Sequence, residues 1–291
     1  MTDLTPQAIG LLTAIVYATS IIWARKGLQY SNPITVTLAS VTLQSVVLTT
    51  IVLTITGIPE VGLTFLTLAV LVGFLMPIVR LLSYTGIAKV GAARGASLRS
   101  THPLFSALIA LTIFGESATP WVLAGVCLIV AGITLITWQP DKTHAQMHWW
   151  DALYSISAAI LAAVVHNFTR FSLQSNSYPV LFAAIVGIVS LVTITAYLMV
   201  GTEPARPQWD RRALVPFLVT ACLENLGFLT FTVALTVGPV VLVTPMVATQ
   251  PLWVLLFTIV FLRNIELVQL RTVAGSSAVV LGTISITLGG A

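Results

Sequence analysis

Long apolar runs, each of about 18 residues or more, recur along this 291-residue chain and are separated by short turn-like breaks. A run of this length suits a helix that crosses a bilayer, because a helix rises about 1.5 Å per residue through roughly 30 Å of hydrocarbon. Only 8% of the residues are charged, against about 25% in a soluble domain. We therefore predict an all-α, multi-pass integral membrane protein.

We predict ten transmembrane helices from these runs and from the glycine, proline and asparagine residues that interrupt them. The breaks include Asn32-Pro33 and Tyr178-Pro179, and no connection is long enough to fold as a soluble domain. The predicted spans are 7–24, 33–56, 63–87, 91–114, 119–138, 150–171, 179–200, 213–236, 239–262 and 267–288.

The two halves of the chain repeat one another at an offset of about 145 to 150 residues. The matching pairs are Arg25–Gln29 with Arg170–Gln174, Tyr84–Gly91 with Phe231–Gly238, Pro103–Phe105 with Pro251–Trp253, Glu116 with Glu266, Gly125 with Gly275, and Gly132 with Gly282. We predict two five-helix domains, residues 1–148 and 149–291. An odd number of helices per copy puts the copies in opposite orientations, which is typical of transporters with a substrate site between their repeats.

The repeated motifs resemble those of the drug/metabolite transporter superfamily, in its ten-helix branch with two EamA-type domains. Besides the pairs above, the resemblance rests on Gly115-Glu116-Ser117 before the fifth span, where the second half has Asn264-Ile-Glu266 instead. It implies a basket of helices around a central cavity, with the fifth and tenth helices mostly supporting. It also implies a secondary transporter that needs no cofactor.

A narrower resemblance concerns the fourth span. Sugar-phosphate translocators of the same superfamily carry a lysine four residues before the fourth-helix proline, where it helps to bind phosphate. Arg99 stands at that distance from Pro103 in this chain. The matching position of the ninth span, Val247, is uncharged, so the resemblance covers one half only.

Basic side chains lie within the apolar hairpin that bends at Lys89-Val90-Gly91. A guanidinium at membrane depth is costly unless it is paired or hydrated, so such residues tend to mark substrate paths. At about 1.5 Å per residue, Arg80 and Arg99 both lie roughly 12–15 Å from the bend. We predict that they share a level near the midplane and hold an anion, since a guanidinium fork suits carboxylate or phosphate.

The remaining predicted binding residues are polar or aromatic side chains on other spans. Glu224 lies midway along the eighth span and can pair with Arg80 or Arg99, or with a substrate amine. The full predicted substrate set is Arg99, Arg80, His102, Tyr84, Glu224, Asn225, Tyr17, Gln250 and Trp253. Three of the titratable residues in the spans are candidates for proton coupling, namely Glu224, His102 and His166.

These residues predict a secondary active transporter of a small metabolite that bears a carboxylate or phosphate, such as an amino acid, an organic acid or a phosphorylated compound. One alternative is a proton-coupled exporter of lipophilic cations that uses Glu224. Another is a lipid-carrier translocator or a membrane sensor that does not transport. No basic stripe indicates a nucleic-acid partner, and no nucleophile–base or metal-ligand cluster indicates an enzyme or a metal site.

The expected setting is a bacterial or archaeal inner membrane, with the protein as a monomer or homodimer. Two arguments predict opposite membrane orientations. Most Lys and Arg residues fall in the loops after odd-numbered spans, so the positive-inside rule puts both termini outside. The family resemblance instead implies cytosolic termini.

Overall fold

A computed structural model describes residues 5–105, 108, 119–137, 148, 150–200, 206–237, 243, 246–266 and 268–289. Within these residues the chain forms ten α-helices. They are α1 (Thr5–Gly27), α2 (Pro33–Ile51), α3 (Leu63–Val90), α4 (Ala92–Arg99), α5 (Pro120–Thr137), α6 (Asp151–Ser175), α7 (Pro179–Val200), α8 (Arg211–Val237), α9 (Gln250–Phe261) and α10 (Leu270–Gly289). A π-helical turn, Val52–Thr56, extends α2.

The predicted helical membrane fold is confirmed. Seven of the described helices are long and apolar enough to cross a bilayer, namely α1, α2, α3, α6, α7, α8 and α10. Local sequence explains where they begin and end. At the start of α2, the Asn32 side chain accepts a hydrogen bond from the Thr35 amide at 3.0 Å, and Pro33 takes the first helical position. Gly57, with φ of 72°, ends the π-helical turn.

The predicted bend at Lys89-Val90-Gly91 is displaced, because α3 continues through Val90 and only Gly91 leaves the helical conformation. Gly91 has φ of 92°, which a side chain would strain. Helix α4 then starts at once with Ala92. The bend is therefore a single glycine, and it places the last turn of α3 against the first turn of α4.

The fourth and ninth spans are discontinuous, which the uninterrupted predictions 91–114 and 239–262 missed. Helix α4 ends at Arg99, and a turn at Ser100–Thr101 precedes the helical residues 102–105. Helix α9 begins at Gln250 after a turn at Ala248–Thr249. The cause is the same in both repeats, since Pro103 and Pro251 lack the amide that an unbroken helix needs.

The packing of the helices follows the repeat. When each helix is replaced by its equivalent in the other repeat, every one of the main packed pairs becomes a pair that also packs. Helix α3 packs against α6 as α1 packs against α8, while the pairs α2–α7 and α5–α10 each join equivalent helices of the two repeats. This arrangement is the one that an inverted repeat produces. The domain boundary at 148/149 stays a prediction, because residues 138–147 and 149 lie outside the described part.

Buried polar contacts secure this packing where helices are irregular. Pro77 within α3 frees the carbonyl of Gly73 four residues earlier. That carbonyl accepts a hydrogen bond from Ser190 of α7 at 2.9 Å. Around it, apolar side chains of α2, α3, α6, α7 and α8 form the largest core cluster, in which the rings of Phe65 and Phe182 meet edge to face.

Helices α5 and α10 cross through reciprocal glycine contacts. A Cβ on Gly282 would lie 2.6 Å from the carbonyl oxygen of Gly125, and one on Gly275 would lie 2.9 Å from that of Gly132. In the repeat, Gly125 is equivalent to Gly275 and Gly132 to Gly282, so each of these glycine pairs is the repeat equivalent of the other. The glycines with seven-residue spacing therefore serve close packing between the two repeats of one chain.

We expect Gly282→Val to destabilise the protein by about 1–3 kcal/mol, because the new side chain meets backbone that cannot move without separating the helices. Thermal unfolding in detergent measures the effect. Ala274→Val is the matched control, since Ala274 is exposed on the same helix. Equal midpoints for the two variants would contradict this account of the crossing.

Candidate substrate-binding site

An ion pair between α3 and α8 lies deep in the helix bundle. Nε of Arg80 is 3.0 Å from Oε1 of Glu224, and Arg80 is 2% exposed. One turn along α3, the hydroxyl of Tyr84 donates a hydrogen bond to Oε2 of Glu224 at 2.5 Å. Each carboxylate oxygen of Glu224 therefore contacts a residue of α3. Of the two predicted partners, Arg80 and Arg99, the one that pairs with Glu224 is Arg80.

Two amide side chains extend this group, which we call the α3–α8 cluster: Arg80, Tyr84, Glu224, Gln44 and Asn225. Nη2 of Arg80 donates to Oε1 of Gln44 at 2.7 Å and to Oδ1 of Asn225 at 3.1 Å. The amide nitrogens of Gln44 and Asn225 are used in turn, each by a backbone carbonyl at 2.9 Å. Most of the polar atoms in the cluster are thus engaged within the protein.

Gln44 is the member of this cluster that the sequence analysis did not include. It is 0% exposed and lies in the middle of α2. The sequence feature that could have identified Gln44 is a single amide side chain in a span whose other residues are apolar or carry hydroxyl groups. Such a residue at membrane depth needs a hydrogen-bonding partner, and here that partner is Arg80.

Arg99 differs from Arg80 in having no hydrogen-bond or ion-pair partner among the described residues. It is the last residue of α4, immediately before the break at Ser100–Thr101. Its Nε is buried without a hydrogen bond, and no carboxylate of the described residues forms an ion pair with its guanidinium. Within the part of the chain that is described, Arg99 is a cation at membrane depth that its own protein leaves uncompensated.

Tyr17 of α1 is close to both Arg99 and the α3–α8 cluster. Its hydroxyl is within electrostatic range of Arg99, Glu224 and Arg80. The ring rests on Gly227 of α8, where an added Cβ would come within 2.9 Å of it. The missing side chain at Gly227 thus admits the phenol to the centre of the bundle, and the predicted residues Tyr17, Arg80, Arg99 and Glu224 share one region.

Two histidines form a second group near Arg99. The rings of His102 and His166 meet edge to face with centroids 4.5 Å apart, and the Phe231 ring is 5.1 Å from that of His166. Both imidazoles are within electrostatic range of Arg99. The described residues include no third His, Cys, Asp or Glu that would complete a metal site with them.

The other two predicted residues, both on α9, lie apart from these contacts. Gln250 is buried at the first position of α9, beside the helix break. Trp253 packs with the ring of Phe257 at 6.2 Å and with an apolar cluster that includes Ile21 and Ile22 of α1. Neither makes a described hydrogen bond with Arg99 or with the α3–α8 cluster, so their binding role stays a prediction.

A second charged cluster lies at the Gly91 bend and joins α1, α3 and α4 to the segment after α9. The carboxylate of Glu266 accepts hydrogen bonds from the backbone amide of Ala92, at 3.0 Å from each oxygen, and from Nε of Arg25. Nη1 of Arg25 donates to the carbonyl of Ala88 at 2.8 Å. Glu266 thereby caps the N-terminus of α4, the helix that carries Arg99 at its other end.

We call the end of the helix bundle that contains this cluster the bend face; its described residues are 27–33, 88–92, 148, 150, 151, 262–266, 268 and 269. A further ion pair lies there, between Nζ of Lys89 and Oδ1 of Asp151 at 2.9 Å. Both pairs join the first repeat to the second. At the opposite face, the described contact between loops is neutral, from the amide of Gly62 to Oδ1 of Asn176 at 3.2 Å.

We expect Glu266→Gln to lower the free energy of unfolding by about 1–3 kcal/mol, because Arg25 and the α4 amide lose their anionic acceptor. Urea or thermal unfolding in detergent measures this loss. Glu60→Gln is the control, since Glu60 is exposed. Arg25→Gln in the Glu266→Gln background should add little, and full additivity of the two changes would contradict the assigned pair.

Comparison with known proteins gives a family match for the first half of the chain. Residues 6–138 match the EamA-like transporter family, which confirms the resemblance drawn from the motifs. A crystal structure matches 99% of this chain and 98% of its own chain, with a TM-score of 0.66 at 15% sequence identity, and so shares the fold. No curated protein matches the sequence.

Proposed function

We propose, from the premise that this chain is a membrane transporter of small molecules with an EamA-like first repeat, that it is a secondary carrier of an anionic or zwitterionic metabolite. The carrier works by alternating access around Arg99. The observation that carries the proposal is that Arg99, beside a helix break, has a buried Nε without a hydrogen bond and no ion pair among the described residues.

Arg99 is the residue that recognises the anion. Its fork can donate two parallel hydrogen bonds to a carboxylate or a phosphate, and each charge-assisted bond contributes about 1.5–3 kcal/mol. Arg80 has its own carboxylate in Glu224, so its first role is to hold α3 against α8. Nη1 of Arg80 has no hydrogen-bond partner in the described part, which leaves one donor to assist Arg99.

Glu224 supplies the other half of a zwitterion site. Its side chain is 14% exposed, more than that of Arg80, so an ammonium group of the substrate can reach it. Tyr17 lies within electrostatic range of both Glu224 and Arg99. An amino acid whose carboxylate binds Arg99 and whose amine approaches Glu224 satisfies both charges, and Tyr84 and Asn225 complete the polar wall on that side.

In the proposed alternating access, the bend face opens and closes. The pairs Arg25–Glu266 and Lys89–Asp151 hold the repeats together there, at roughly 12 Å from Arg99 along α4. Opening this face requires that the ion pairs separate, while the neutral contacts of the opposite face close. The breaks at Ser100–Thr101 and Ala248–Thr249 give α4 and α9 the points at which they can rearrange.

A thermal-shift screen of the purified protein tests the proposal, because a ligand stabilises by RT ln(1 + [L]/Kd). The probes are amino acids, dicarboxylates, inorganic and sugar phosphates, and lipophilic cations. We expect anionic or zwitterionic probes to raise the unfolding midpoint in wild type and not in Arg99→Ala. Stabilisation by cations that depends on Glu224 and not on Arg99 would instead establish the exporter alternative.

The remaining alternatives differ in other measurements. A lipid-carrier translocator would be stabilised by a lipid phosphate and would show no counterflow of a soluble solute, as would a sensor that binds without transporting. We place the protein in a bacterial or archaeal inner membrane. Import or export depends on the orientation of the bend face, which labelling of an introduced cysteine in intact cells would assign.

A further inference from the structure

The histidine pair beside Arg99 carries an inference about coupling that rests on the proposed function. His102 belongs to the segment after the break in α4, and His166 comes from α6 in the other repeat. Their rings touch edge to face at 4.5 Å. The pair therefore joins the two repeats beside Arg99, a cation that has no ion pair among the described residues.

The charged and titratable groups around the pair are nearly all basic or already engaged. Arg99 faces both imidazoles from the α4 side, and α8 contributes the apolar ring of Phe231. From α3 and α8, Arg80, Tyr84 and Glu224 are bound to one another. Arg94 lies nearer the bend, while Lys89 is paired with Asp151.

This arrangement makes proton uptake depend on the substrate. Protonating either imidazole in the empty site adds a second positive charge beside Arg99, and no carboxylate of the described residues forms an ion pair with either histidine to offset it. An anion bound at Arg99 supplies that negative charge. The same anion then favours the imidazolium, and by linkage a protonated imidazole strengthens anion binding by the same factor.

We infer that the protein is a proton–anion symporter in which the His102–His166 pair takes up one proton with each substrate anion. The proton comes from the side on which the anion enters. When the site opens to the other side and the anion leaves Arg99, the pair returns the proton there. Of the three candidates for proton coupling, Glu224 is engaged with Arg80 and Tyr84, so the coupling proton belongs to the histidines.

Sulfate is the probe that tests this inference, because its charge stays constant over the pH range in which histidine titrates. We expect sulfate to stabilise wild type through a Kd that tightens as the pH falls from about 8 to about 6, by at most about tenfold per pH unit. Thermal shifts at matched ionic strength, with chloride as the reference salt, measure Kd. His102→Gln/His166→Gln should bind sulfate with a Kd that no longer varies with pH.

His148→Gln is the matched control, because His148 is exposed outside the site and should leave the pH dependence intact. Single variants His102→Gln and His166→Gln serve if the double variant does not fold. Sulfate binding that is equal at all pH values in wild type would overturn the symport inference and leave the anion site standing. Failure of sulfate to bind wild type at any pH would count against both claims.

Proton movement provides an independent measurement. In proteoliposomes that contain a pH-sensitive dye, an inward sulfate gradient should acidify the lumen with wild type and with His148→Gln. The double histidine variant should not acidify the lumen. Sulfate entry without acidification in wild type would contradict the inference.

Discussion

Arg99→Ala is expected to abolish anion binding while leaving the empty protein at least as stable as wild type. Both parts follow from one observation, namely that Arg99 has no hydrogen bond or ion pair with any described residue. Loss of two charge-assisted hydrogen bonds weakens binding by about 3 kcal/mol or more, which is about 100-fold or more in Kd. Removing an unpaired guanidinium from membrane depth costs no described contact.

The measurement combines the unfolding midpoint of the empty protein with the ligand-induced shift of that midpoint. Arg99→Lys keeps the charge without the fork and should recover binding only in part. Arg263→Ala, an exposed arginine after α9, should change neither quantity. An Arg99→Ala protein that unfolds much earlier than wild type would show that Arg99 is structural and would contradict its assignment.

Arg80→Ala is expected to have the opposite result, a large loss of stability. The change leaves Glu224, Gln44 and Asn225 without their shared cation deep in the bundle. Removing one partner of a buried ion pair costs about 3–5 kcal/mol, because the other charge is left uncompensated. We expect the midpoint of thermal unfolding to fall steeply, and purification yields to fall with it.

A double-mutant cycle isolates the pair. Arg80→Met/Glu224→Gln should be more stable than Arg80→Met alone, because the second change removes the stranded carboxylate. Arg170→Ala is the control, since Arg170 is exposed on α6 and should shift stability by no more than about 0.5 kcal/mol. Equal and additive losses from Arg80 and Glu224 would mean that the two residues do not act as a pair.

Much of the fold is predictable from sequence because lipid imposes simple rules. Apolar run length predicted the ten helices, and the repeated motifs with an odd number of spans predicted two repeats in opposite orientations. The breaks in α4 and α9 were missed although Pro103 and Pro251 were visible. A proline inside a span can be accommodated in an unbroken helix, as Pro77 is in α3, where Ser190 takes up the freed carbonyl.

The residues of the candidate site could be predicted from the sequence, but their pairing could not. Charge in an apolar span identifies Arg80, Arg99 and Glu224. The sequence does not distinguish the environments of the two arginines, however. Their difference depends on α2 and α8, which bring Gln44, Asn225 and Glu224 to Arg80 and leave Arg99 alone. Which cation is paired is a property of tertiary packing, and the sequence pattern does not contain it.

Solute counterflow is the most direct test of the carrier. Purified protein is reconstituted into liposomes loaded with the unlabelled anionic ligand that stabilises it most, and labelled ligand is supplied outside. We expect transient accumulation of label with wild type, and none with Arg99→Ala that has been verified to be folded. Strong stabilisation by the ligand without any accumulation in wild-type liposomes would contradict transport and would leave a membrane protein that binds anions without carrying them.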